Sequence, residues 1–223
     1  MYVTDKYVFI HLNKNAGVFV KDFMRKNFKT KIKVYKHAPL RCIRESDRGK
    51  IKIGVIRNPF SWYVSFYHYH KENGYYPKLT FEQYVKLHLE NSRKLISKAQ
   101  KKNVLDKNAK IYPPSTKMDI GSCTFHYIHF FSYKAVEILK TWTRERLGEN
   151  FGRVSNINTM LSCENLKNDM IGLFGEKFRK ELESAPKKNT TKHKPYQEYY
   201  TPELRRLVEE KDGILINYYG YKF

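Results

Sequence analysis

The chain has 223 residues, 41% hydrophobic and 15% aromatic, enough apolar material for one well-cored domain and too much for a disordered chain. Its 43 Lys and Arg against 22 Asp and Glu give a formal charge of +21, which calls for an anionic partner: nucleic acid, an anionic membrane, a sulfated or phosphorylated ligand, or an acidic glycan. Cys42, Cys123 and Cys163 have neither disulfide-framework nor zinc spacing, and no apolar run reaches the length of a membrane span.

The opening MYVTDKYVFIH lacks a basic region followed by a long apolar run, so no signal peptide and a cytoplasmic protein are expected. Tyr7 to His11, YVFIH, reads as a buried strand. A polar turn follows, Asn13-Lys14-Asn15-Ala16-Gly17, and then Val20, Phe23 and Met24 recur at helical spacing. A strand, a tight loop and a helix N-terminus aim backbone N–H groups and a positive dipole end at one point, an arrangement that suits a phosphate. An ordinary turn with a surface lysine has the same local pattern.

Residues 32–37, IKVYKH, read as a second strand, followed by a short basic helix from Arg41 to Glu45. Lys50 to Arg57 reads as a central strand ended by Asn58-Pro59, and an aromatic helix runs from Phe60 to about Lys71. Strands alternating with helices predict a three-layer α/β fold with a central parallel sheet. Ligands of such sheets sit at the carboxyl ends of the strands, where Lys14, His37 and Arg57 fall. Thr80 to about Ala99 is predicted helical with a Thr80–Gln83 capping box, and Lys101 to Tyr112 a basic loop. Residues 123–131, CTFHYIHFF, fit a strand or a buried connection, and Lys134 to Leu147 an amphipathic helix stopped at Gly148. Asn158 to Cys163 reads as a fourth strand, Leu166 to Phe174 as a helix, residues 185–195 as a basic loop, and Thr201-Pro202 as a helix start. No repeat or linker divides the chain, so residues 1–223 are expected to form one domain.

A magnesium-nucleotide P-loop needs a late lysine followed by Ser or Thr, whereas here Lys14 precedes Gly17, and Val18 and Phe19 follow. HLNKNAGVF instead resembles the loop that holds the 5′-phosphosulfate in sulfotransferases using 3′-phosphoadenosine-5′-phosphosulfate (PAPS). VIRNPFSWYVSFYHYH resembles their 3′-phosphate motif, with Arg57 at a strand end and Ser65 eight residues later. SCENLKND at 162–169, NTTKHKPYQEYYTPELRRLV and the closing YYGYKF resemble later segments of the same family, closest to its carbohydrate-directed and bacterial members. The matches cover most of the chain outside about 75–155. The pattern departs from the family at Asn13, where proline is usual, and at Val18 and Phe19, where Thr and Ser donate hydroxyls.

The resemblance implies a P-loop-like sulfotransferase fold and metal-independent transfer of a sulfuryl group to a hydroxyl, on a saccharide. Adenosine 3′,5′-bisphosphate (PAP) is the product. Lys14, Asn15, Ala16, Gly17, Val18 and Phe19 would hold the 5′-phosphate, with Lys14 stabilising the leaving oxygen. Arg57 and Ser65 would hold the 3′-phosphate, and Lys192 with His193 would close over the nucleotide or lie in a solvated loop. His37 would be the general base, since imidazole titrates near neutrality. His68 and His70 are its rivals. His11 reads as structural, and His126 and His129 as core or as acceptor-cleft lining. Glu164 and Asn165 read as braces of the sheet end, and Trp62 and Tyr63 as core. Two other readings stand beside this one. The first is a basic nucleic-acid-binding protein, ranked lower because no known module appears. The second is an impaired family member that binds nucleotide or glycan only. The acceptor's identity is not legible, because 75–155 carries no motif.

Overall fold

The structure is a computed structural model that describes residues 1–33, 37–90, 116–186 and 193–223. Strands β1 (Tyr2–Thr4), β2 (Tyr7–Phe9), β3 (Thr30–Lys33), β4 (Ile51–Ile56) and β5 (Thr159–Ser162) form one sheet in the order β3-β1-β2-β4-β5. The expected all-parallel sheet is corrected to a mixed one. Strand β1, unforeseen in the sequence, pairs antiparallel with both β2 and β3, while β2–β4 and β4–β5 are parallel. Two reversals cancel, so β2, β3, β4 and β5 all run the same way and their carboxyl ends share one edge.

Strand side chains alternate between two cores. Tyr2, Tyr7, Phe9, Ile53, Val55 and Leu161 pack with helices α1 (Gly17–Asn27) and α7 (Leu166–Phe174), and with Leu182 of α8 (Arg179–Ser184). Val3, Val8, Ile10 and Ile56 pack on the opposite face with α4 (Ser122–Phe131), α5 (Ala135–Thr141) and Leu147 of α6 (Arg144–Asn150). A third cluster joins α2 (Pro59–Glu72), α3 (Phe81–Glu90) and α9 (Pro202–Tyr219).

Local signals act where they were read. Thr80 and Gln83 exchange reciprocal bonds of 3.0 and 3.2 Å, and Thr201 Oγ1 accepts from Leu204 N at 3.2 Å with Pro202 in the first turn. Asn58 caps α2 by accepting from Phe60 N at 3.0 Å, with Pro59 as the first helical residue.

Four elements differ from expectation. The run at 123–131 is helical and buried nearly all round, a case in which uniform apolarity hides the period. The single helix expected at 134–147 is two, because Thr143 caps a new helix by accepting from Arg146 N and Gly148 lies inside it. The basic helix at 41–45 is two short 3₁₀ turns, Leu40–Cys42 and Glu45–Asp47. The second strand starts at Thr30, and the rest of its expected span at 34–36 lies outside the described residues, as do 91–115.

The N-terminus of α4 is held by Asp212 of α9. This fully buried carboxylate accepts from Thr124 N and Thr124 Oγ1 at 2.8 Å and from Tyr63 OH at 2.7 Å. Burial raises its pKa, and these hydrogen bonds oppose that. No described helix is long and apolar enough to cross a membrane.

Candidate functional site

The site begins where β2 leaves the sheet. Ile10 N still donates to Ile53 O at 2.9 Å, and then the chain turns. Lys14 and Ala16 take the left-handed conformation, with φ of 63° and 52°. That conformation is uncommon for residues with a side chain, and it tightens the loop around Asn15.

Three bonds fix this loop from below. Asn15 turns its amide into the sheet and donates to Val55 O at 2.7 Å. Trp62 Nε1 donates to Asn13 O at 3.0 Å, and Arg57 Nη1 donates to Lys14 O at 3.1 Å. In a trans peptide the C=O and the next N–H point opposite ways. Pinning the carbonyls of Asn13 and Lys14 toward Trp62 and Arg57 therefore turns the N–H groups of Lys14 and Asn15 away from those side chains. The first turn of α1 follows with no side-chain cap and no acidic residue. Phe19 N donates back to Ala16 O at 3.0 Å, and the helix dipole leaves this end of α1 electropositive.

Gly17 packs against His11: a Cβ there would lie 1.9 Å from His11 Cδ2. The His11 ring also sits 4.6 Å from the His37 ring, and His37 Nδ1 lies 3.2 Å from His11 O. A carbonyl only accepts, so Nδ1 is the donor in this bond, and in the neutral ring the lone pair would then be on Nε2. His37 thus stands beside His11 at the shared edge.

Arg57 closes the other side at the end of β4. Its Nε and Nη2 both donate to Ser61 Oγ, at 2.9 and 2.7 Å. The hydroxyl beside the guanidinium is therefore that of Ser61, one helical turn on, while Ser65 is buried in α2. Glu164 accepts from Asn58 N at 2.8 Å and from Ser162 Oγ at 2.8 Å, bracing the start of α2 as the sequence suggested. Asn165 donates to Asp169 at 2.7 Å.

Lys14 Nζ lies 4.7 Å from the centre of the Tyr69 ring. Partial burial lowers its pKa, the Arg57 charge lowers it further, and Glu72 opposes both. Val18 is half-buried and Phe19 lies in the core with Val20 and Phe23, so neither brings a polar group to the loop. Lys192 lies outside the described residues.

The remaining histidines have partners of their own. His68 Nε2 lies 2.9 Å from Tyr199 OH, its ring stacks 5.3 Å from that of His193, and burial lowers its pKa. His70 pairs with Tyr84 OH at 2.8 Å, and burial, then the Lys14 charge, bring its pKa to about 4. His126 pairs with Ser122 O at 2.7 Å, and His129 contacts Arg41 Nη1 at 3.1 Å. Buried His88 has its pKa pushed to about 3 by burial and by the charges of His70 and His126. Among the described residues, no group of three or more His, Cys, Asp and Glu side chains is placed to hold a metal ion.

Ser61, which sequence reading did not single out, follows Arg57 by four residues, the spacing of one helical turn, and that spacing is the signal that would have found it. Trp62, read as core, is buried, and its indole N–H also ties the loop. Comparison with family models, curated proteins and solved structures finds no match to this chain.

Proposed function

We propose that the chain is a PAPS-dependent sulfotransferase acting on a hydroxyl, in a P-loop-like three-layer fold, with a saccharide as acceptor. The observation that carries this reading is the bond from Arg57 to the Lys14 carbonyl, which joins the two motif segments across β2 and β4. The residues suit such a donor. Three guanidinium N–H bonds are used within the protein, and the rest of the fork is left for a phosphate beside Ser61 Oγ. The 5′-phosphate would rest on backbone amides and Lys14 alone, since Val18 and Phe19 bring no hydroxyl.

The donor supplies the sulfuryl group and a phosphate as leaving group. His37 Nε2 takes the acceptor's proton as the new O–S bond forms and the S–O bond to phosphate breaks. Lys14 and the first amides of α1 hold the charge that grows on the departing oxygen.

Calorimetric titration tests this. PAP should bind more tightly than AMP, by roughly tenfold to a hundredfold, the scale of hydrogen bonds to charged groups. Arg57→Ala should erase the preference. His37→Ala should leave binding intact and lower turnover by about a hundredfold or more. Equal affinity of the parent protein for the two nucleotides would falsify the reading.

A further inference from the structure

The acceptor side of the site is written in tyrosines. Among the described residues, Tyr69 and Tyr75 are two of the few large hydrophobic side chains that stand exposed, at 41% and 58%. They are brought together by the end of α2. Gly74 takes a positive φ of 72°, Tyr75 N donates to His70 O at 2.8 Å, and the Tyr75 ring settles 5.4 Å from that of His70. Tyr76 follows with a φ of 53°, a left-handed backbone that a bulky aromatic residue rarely adopts. The underside is rigid. Tyr69 stacks on buried Phe66, with ring planes 2° apart, and His70 is tied to Tyr84 OH. Burial and the Lys14 charge hold the His70 ring neutral, so it sits in this surface as a flat, uncharged plate.

The position of this surface gives it meaning. The Lys14 ammonium lies against Tyr69. If Lys14 marks the point where the sulfuryl group leaves, as proposed above, the attacking hydroxyl must come to about 3–3.5 Å from sulfur. Tyr69 is the ring that Lys14 touches, and the His70 ring, 5.8 Å from that of Tyr69 and 5.4 Å from that of Tyr75, links the two tyrosines. Aromatic planes with hydroxyls at their rims suit one ligand chemistry well. One face of a pyranose ring presents C–H bonds, and its edge presents hydroxyls. A tyrosine covers the first with its ring, meets the second with its OH, and loses little side-chain freedom on binding.

We propose that Tyr69 and Tyr75 form a saccharide-stacking subsite that seats the acceptor sugar beside Lys14. The proposal rests on the sulfotransferase reading for its chemistry but not for the binding itself.

Saturation-transfer NMR on the full chain separates the two. The probes are tetrasaccharides of glucose, galactose, mannose and N-acetylglucosamine, with 4-nitrophenol as an aromatic alcohol. At least one tetrasaccharide should receive saturation on its ring C–H protons. Tyr69→Ala and Tyr75→Ala should each cut that transfer at least fivefold. Tyr69→Phe should keep most of it. Thermal melts confirm that each variant folds, and a parallel PAP titration of Tyr75→Ala should stay within about twofold of the parent.

Absence of transfer to all four sugars overturns the subsite, as does transfer that survives both alanine changes. Binding of 4-nitrophenol alone overturns the saccharide assignment. A chain that binds sugar through these tyrosines but ignores PAP keeps the subsite and removes the sulfotransferase reading. The converse result does the opposite.

Discussion

A methyl group added at Gly17 has no space to occupy. The sequence offers a simple reason for glycine there, close approach of a phosphate to the backbone. The structure supplies another: the imidazole of His11 already fills the place of a side chain. Gly17→Ala should therefore destabilise the fold by about 1–3 kcal/mol, the cost of overpacking. In a His11→Ala background the same change should cost clearly less, because the two sites share one volume. Urea titrations of the four proteins give the coupling, and additive costs would show that the ring is not the obstacle. At this scale the sequence foretold where certain side chains fall. Lys14, Arg57 and His37 fall at the shared sheet edge because each follows a strand. Ser61 was hidden, because only the folded guanidinium selects between two serines on the same helix.

Helix α2 meets α3 and α4 through an interior that holds His70, His88 and His126. The ring of His70 stacks 6.0 Å from that of His88, and His88 Nε2 is buried without a hydrogen-bond partner. Burial lowers all three pKa values, to about 4 for His70 and about 3 for His88, against 6.5 for an unperturbed imidazole. As pH falls below 6.5 the unfolded chain takes up these protons first. Stability is then complete above about pH 6.5 and is lost as pH falls toward the folded values, by about 1.4 kcal/mol per unit for each of His70 and His88, with His126 acting in the same direction. Urea midpoints measured from pH 7 to pH 4 should show this slope, and His88→Phe should flatten it by about one histidine's share. An unchanged slope would mean that His88 titrates alike in both states. The face bearing Phe81, Tyr84, Val85, His88 and Leu89 was readable from its period, and all five are buried. Helix α4 was not, because its N-terminal partner, Asp212, lies 88 residues away from Thr124. No local pattern reports a cap delivered from another helix.

Across the whole molecule the α/β class and the placement of the site edge were legible, while the sheet's direction was not. The reason is β1, three residues long and too short for a periodic signal, which inserts itself between β2 and β3. The sheet's order also has a temporal side. Strands β1 to β4 all come from the first 56 residues, whereas Lys52 meets Asn158 across 106 residues of chain, at the entry to the β4–β5 pair. Closing so long a loop costs entropy before any contact repays it, so the hairpin end of the sheet should order first and β5 should dock late. Pulsed hydrogen exchange during refolding checks this: amides in the β1–β2 pairing should gain protection before Cys163 N, which donates to Ile56 O at 2.7 Å. Simultaneous protection would indicate a single concerted step. Glu164 arrives with β5, and it is Glu164 that holds the amide of Asn58 beside Arg57. A growing chain would thus carry its lysine loop, and the arginine tied to it through Lys14 O and Ser61 Oγ, well before Glu164 arrives to brace the start of α2.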